Sequence, residues 1–86
     1  MTLSKETSRT IPREDLKRLV GLLAAKRQKV GMSQRELSRK MGLYDMAVME
    51  LERGGRGLQV TELIDAARIL DEDPVQLLRE CLERRD

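Results

Sequence analysis

Few residues of this chain are equipped for covalent chemistry. There is no histidine in its 86 residues, and Cys81 is the single cysteine. That removes the commonest general base and the commonest zinc ligand, and one thiolate cannot hold a metal ion. Cys81 reads as a small core residue rather than a nucleophile. The carboxylates Asp71 and Asp73 lie close together, but just before Pro74, where an Asp caps a helix start. The stretch GGRGLQV at 54–60 has three glycines in four positions, yet it lacks the Gly-Lys-Ser/Thr ending and the preceding strand of a nucleotide-binding loop. No catalytic residue, no metal site and no cofactor is predicted, and an enzyme is not expected. What remains is charge in a pattern. Residues 1–41 carry eleven Lys/Arg against four Asp/Glu, a net +7, and residues 42–86 carry six against eleven, a net −5. A basic half beside an acidic half suggests a polyanion on one side; solvated helix faces that segregate by sign would give the same count. Lys26, Arg27 and Lys29 pose the same choice between phosphate contact and compensation of a helix dipole.

The elements that must position these charges are organised around Ser33 to Gly54, SQRELSRKMGLYDMAVMELERG. Ser33 and Glu36 have capping-box spacing and fix a helix start. Leu37 and Met41, four apart, give that helix its buried side, and Gly42 ends it in a left-handed backbone. A second helix is predicted from about Asp45 to Arg53, with Val48 and Leu51 buried and Gly54 as its stop. Ser38 is small where two steeply crossed helices need close approach. Two short helices joined by a tight, glycine-bearing turn are the requirements of a helix-turn-helix, here at about 34–53.

Residues 1–11 show no sustained period and are expected to form a flexible arm, leaving 12–86 as one domain. Pro12, Glu14 and Asp15 suit a first helical turn. Leu16, Leu19, Val20, Leu23 and Ala24 then recur at helical spacing up to Gly31, with Leu22 partly off the stripe and free to meet a partner. A fourth helix is predicted from about Val60 to Leu70, with Leu63, Ile64, Ala67 and Leu70 inward. The fifth begins at Asp73-Pro74 and has Val75, Leu78, Cys81 and Leu82 as its apolar face. The fold class is all-α, five helices with short connections around an aliphatic core rich in leucine. No apolar run approaches the roughly 20 residues of a membrane span. The N-terminus lacks a secretory signal and no intramolecular disulfide is possible, so a cytoplasmic protein is expected.

In this order the chain resembles the Cro/repressor-like, XRE-type helix-turn-helix regulators over roughly Leu16 to Leu78. The run KRQKVGMSQRELSRKMGL, the LERG that closes the third helix and the tail VTELIDAARILDEDPVQLL carry the resemblance together. It implies a compact five-helix bundle of the lambda-repressor-like DNA-binding type, usually dimeric, with its third helix in the major groove of double-stranded DNA. By the same resemblance Gln34 bonds a phosphate and props the recognition helix, and Arg35 neighbours a phosphate. Arg56 matches a loop position that touches phosphate. Glu52 and Arg53 close the third helix in a mainly structural role. Beyond the resemblance, Arg39 and Lys40 near the second helix are expected to add electrostatic phosphate contacts.

The groove-facing positions depart from the family's polar pattern. They hold Tyr44, Asp45, Met46, Ala47, Met49 and Glu50, with Met46, Met49, Glu50 and Arg53 forming one helical stripe. Methionine donates no hydrogen bond, and from Gly42 to Gly54 one Arg faces three acids. A carboxylate can nevertheless accept from the amino group of cytosine. Three readings follow. The chain is a sequence-specific transcriptional regulator whose Tyr44 and methionines touch thymine methyls. Alternatively, the fold is kept while Met46 and Met49 bind a protein co-regulator. Or the two methionines are simply buried, by repacking or at a homodimer seam. The first reading is preferred, as a homodimer joined through the fifth helix, together with Leu22 or Leu77.

Overall fold

Each described helix is bounded by a residue whose backbone or side chain marks its stop or its start. The computed structural model describes residues 13–83, and within them five helices follow one another: α1 Arg13–Lys29, α2 Gln34–Lys40, α3 Ala47–Glu52, α4 Val60–Ile69 and α5 Pro74–Glu83. The expected arm at 1–11 and Pro12 lie outside the described residues. The Ser33 Oγ accepts the Glu36 N–H at 3.0 Å and opens α2. The Asp73 Oδ1 accepts the Val75 N–H at 2.9 Å and opens α5, with Pro74 as its first helical residue.

After α2, Gly42 takes a φ of 75°, and the Leu43 N–H returns to the Ser38 carbonyl at 2.9 Å. Gly31 and Gly54 end α1 and α3 in the same left-handed conformation. The end of α4 repeats the turn without a glycine. There Asp71 adopts a φ of 60°, and the Glu72 N–H bonds the Ala67 carbonyl at 2.7 Å. Asp is among the few residues that tolerate this region.

α3 is shorter than its sequence pattern indicates. Asp45 and Arg53 fall outside it, and Met46 stands at its N-cap with no side-chain hydrogen bond to the helix. A six-residue helix has too few internal bonds to set its own ends, so tertiary contacts fix them.

The core gathers Leu19 and Leu23 of α1, Leu37 of α2, Val48 of α3, Leu63, Ala66 and Ala67 of α4 with Leu70 just beyond it, and Leu77 and Cys81 of α5. Burying each of the large aliphatic side chains contributes about 1.5–3 kcal/mol. α1 lies against α3 and α5, α2 against α3 and α4, and α4 against α5. Cys81 is a core residue whose thiol donates to the Asp15 carbonyl at 3.4 Å, fastening α5 to α1.

Three expectations about surfaces are corrected. Leu77 is fully buried and cannot belong to a seam, whereas Val75, Leu78 and Leu82 face outward. Leu22 is half-buried and packs on the core. Leu16, Ala24 and Ile64 are half-buried rather than buried. Among the described residues no helix is long and apolar enough to cross a membrane.

Candidate functional site

The corner between α2 and α3 is held by one hydroxyl. Ser38 is fully buried, its Oγ donates to the Gln34 carbonyl at 2.9 Å, and the same oxygen accepts the Val48 N–H at 2.9 Å. Val48 is the second residue of α3, so its N–H is one of the unpaired donors at a helix start. Met46 cannot satisfy it. The cap of α3 therefore comes from α2, ten residues earlier in the chain. Sequence reasoning singled out Ser38 for its size alone; the hydroxyl is equally required.

A second tie holds the other end of α3. The Glu52 carboxylate receives Arg27 Nε at 2.8 Å, Arg27 Nη2 at 3.1 Å and Gln34 Nε2 at 2.8 Å. Arg27 Nη1 donates to the Met32 carbonyl at 2.7 Å. Arg27 is buried and the Glu52 side chain nearly so, which makes these charge-assisted bonds stronger than their surface equivalents. One carboxylate on α3 thus binds α1 and the first residue of α2. The basic cluster at the end of α1 divides accordingly. Arg27 turns inward and is unavailable to a phosphate, Lys26 pairs with Glu72 at 3.6 Å, and Lys29 stays exposed. Nothing local in the sequence marks Arg27 as the partner of a residue 25 positions away.

The outer face of the corner carries the remaining predicted residues. Arg35, Arg39 and Lys40 are exposed on α2. Arg39 grips Asp45 with two bonds, Nε to Oδ1 at 3.0 Å and Nη2 to Oδ2 at 3.0 Å, and Arg35 Nε lies 3.7 Å from Oδ2. The Arg39 guanidinium holds the Asp45 carboxyl below its ordinary value, and the carboxylate raises Arg39 in return. Tyr44 is exposed, and its hydroxyl donates to Glu50 Oε1 at 2.8 Å; this bond to a carboxylate raises the phenol's pKa. Met46 is exposed, Met49 and Glu50 are half-buried, and Arg53 is exposed at the end of α3.

Arg56 borders this face, close enough to Tyr44 and Glu50 for their charges to act on it, but is committed elsewhere. Its guanidinium forks onto Glu62 through Nη1 to Oε1 at 3.2 Å and Nη2 to Oε2 at 2.9 Å, and Glu62 also accepts the Gln59 N–H at 3.1 Å. Glu62 is buried, and the Arg56 contact holds its carboxyl below the ordinary value. Sequence reasoning missed this role of Glu62, although a Glu in the third helical position is a readable capping signal.

The methionine stripe is half dismantled. Met46 is on the surface, which excludes the reading in which both methionines are buried within the fold. With Met49 half-buried, one exposed methionine is too little for the apolar patch that a partner protein would cover. What the corner offers is a rigid short helix with Tyr44, Met46 and Glu50 around its outward start, beside guanidinium groups four residues apart on α2.

Comparison with known proteins agrees in outline. The helix-turn-helix family model matches residues 23–77. An XRE-family like protein from Pseudomonas syringae pv. tomato superposes with a TM-score of 0.79 at 28% identity, over 95% of this chain and 100% of that one. The restriction-modification controller protein C.AhdI from Aeromonas hydrophila is 32% identical, with a TM-score of 0.66 over 73% of this chain and 96% of that one. The clp gene regulator ClgR from Corynebacterium glutamicum shares the fold, with a TM-score of 0.72 at 24% identity over 84% and 76%. No curated protein matches in sequence.

Proposed function

The chain belongs to the XRE-type family of helix-turn-helix DNA-binding regulators, and we propose that it acts in the cytoplasm as a homodimeric, sequence-specific regulator that lays α3 in the major groove. The observation that carries this reading is the double fastening of α3. Ser38 caps its start and Glu52 ties its end to Arg27 and Gln34, while Tyr44, Met46 and Glu50 stay outward. A six-residue helix cannot hold its own orientation, and groove readout needs one that does.

In this reading Arg35, Arg39 and Lys40 contact phosphates. Gln34 props α3 through Glu52, and Arg53 meets a phosphate at the far end. Arg56 reaches a phosphate only by leaving Glu62, so its contribution is secondary. Tyr44 and Met46 supply apolar contacts for thymine methyls, and Glu50 and Asp45 are acceptors suited to cytosine. The dimer forms through α5. Val75, Leu78 and Leu82 make an outward apolar stripe, flanked by Arg79 and Glu83. Restriction-modification controllers and gene regulators among the similar structures give the same general direction.

The test is selection of duplexes from a random-sequence pool on the purified protein. The expected result is a two-fold-symmetric site with half-sites about 10 bp, one helical turn, apart or a multiple of it. Failure to enrich any sequence contradicts specific readout. Leu78→Glu is expected to convert a dimer to a monomer in sedimentation; a monomeric wild type contradicts the dimer.

A further inference from the structure

The clasp of Arg35 and Arg39 on Asp45 calls for an explanation that stability does not supply. All three side chains are well exposed, at 66%, 63% and 43%. Ion pairs this open are screened by solvent and hold little together. Their placement is nevertheless specific. Arg35 and Arg39 lie one turn apart on α2 and converge on a single carboxylate at the entrance to α3, with both carboxylate oxygens engaged by the Arg39 fork. A planar two-oxygen anion in the grip of a guanidinium fork is the arrangement a backbone phosphate would take. Among the described residues, Lys40 and Arg53, also exposed on this surface, pair with no carboxylate.

We propose that Asp45 is a discrimination residue: its carboxylate occupies Arg35 and Arg39 in place of a phosphate and so suppresses sequence-independent binding to DNA. This rests on the DNA-binding reading above and deepens it. On an arbitrary duplex a phosphate must displace a carboxylate already in place, so two of the cations nearest the groove contribute little. Where the base facing the start of α3 offers an amino donor, Asp45 can turn to it and release both arginines to the backbone. Phosphate contacts are thereby coupled to a base contact, and the acidic start of α3 becomes a source of selectivity. Non-specific association is otherwise dominated by such phosphate contacts, each adding about 0.9 to the slope of log affinity against log salt.

The experiment compares the wild type, Asp45→Asn and Glu36→Gln for binding to a labelled random-sequence duplex by fluorescence anisotropy across a salt series. Glu36 is exposed on the same helix and its carboxylate clasps neither arginine, so Glu36→Gln removes the same charge without opening the clasp. Circular dichroism confirms that each variant folds. The expected result is tighter binding by Asp45→Asn with a slope steeper by about one to two, from one or two freed phosphate contacts, while Glu36→Gln keeps the wild-type slope. Binding by all three proteins with equal slopes overturns the proposal and leaves DNA binding standing. Equal gains from both variants also overturn it, by reducing Asp45 to its bare charge. No binding by any of them, at any salt, refutes the DNA-binding reading and the proposal with it.

Discussion

Replacing Glu52 with alanine should come close to unfolding the domain. Three hydrogen bonds converge on that carboxylate, two from Arg27 and one from Gln34, at 2.8–3.1 Å. The Arg27 and Glu52 side chains are only 9% and 14% exposed, so water cannot replace what is lost. Glu52→Ala leaves a buried guanidinium with the Met32 carbonyl as its remaining partner. Removing one member of a buried pair typically costs about 3–5 kcal/mol. For a domain of this size, that is a large share of the roughly 5–15 kcal/mol available and corresponds to a fall of about 15–30 °C in Tm. The assay is urea and thermal denaturation followed by far-UV circular dichroism, since the chain has no Trp and a single Tyr. Arg27→Met combined with Glu52→Leu supplies the control. An apolar pair of similar volume is expected to recover most of the loss, because the cost arises from the stranded charge. A loss below about 1 kcal/mol for Glu52→Ala would place the pair among solvated surface contacts and refute its role as the tether of α3.

Three further outcomes follow from the same geometry. Ser38→Ala leaves the Val48 N–H buried without an acceptor and should cost about 1–3 kcal/mol by urea denaturation; no loss would mean another group caps α3. Gly42→Ala meets no atom within 4 Å, so its cost is confined to the backbone at φ 75° and should be about 1–2 kcal/mol; a neutral substitution would show that the turn relaxes. The Glu62 carboxyl is held below its ordinary value of 4.5 by Arg56, so its contribution is complete above that pH and is lost as pH falls through 4.5 and the lowered native value. Glu62→Gln should flatten that part of the acid-denaturation profile, and an unchanged profile would remove the ion pair from the stability of the α3–α4 loop.

The helix stops were legible in sequence wherever a glycine was required. Gly31, Gly42 and Gly54 all take the left-handed conformation, and Ser33 and Asp73 cap as their spacing indicates. Asp71 does the same work as those glycines, but nothing local distinguishes it from any other Asp. The apolar face of α5 was legible only in part: Cys81 is buried as expected, but Val75, Leu78 and Leu82 face outward and Leu77 inward, for a physical reason. Leu77 and Cys81 form one helical stripe, and Val75, Leu78 and Leu82 form another about 100° away. Only packing against α1 and α4 chooses between them. At the candidate site, residue types were readable but partnerships were not. Arg27 and Arg56 read as surface cations, yet each is committed to a carboxylate, one of them 25 positions away. Long-range pairing of charges leaves no trace in periodicity, and neither does the clasp of Arg35 and Arg39 on Asp45, which lies just outside α3.

The most direct measurement is equilibrium binding of the purified protein to a fluorescently labelled random-sequence DNA duplex, from low to moderate salt. A regulator whose exposed cations, Lys40 and Arg53 foremost with Arg35 and Arg39 largely held by Asp45, meet phosphates should bind with a Kd of about 10⁻⁴–10⁻⁶ M, weakening linearly in log affinity against log salt. Saturable binding with that dependence supports α3 and its flanking arginines as a DNA-facing surface. No binding even at the lowest salt, from a protein that is folded by circular dichroism, would contradict it.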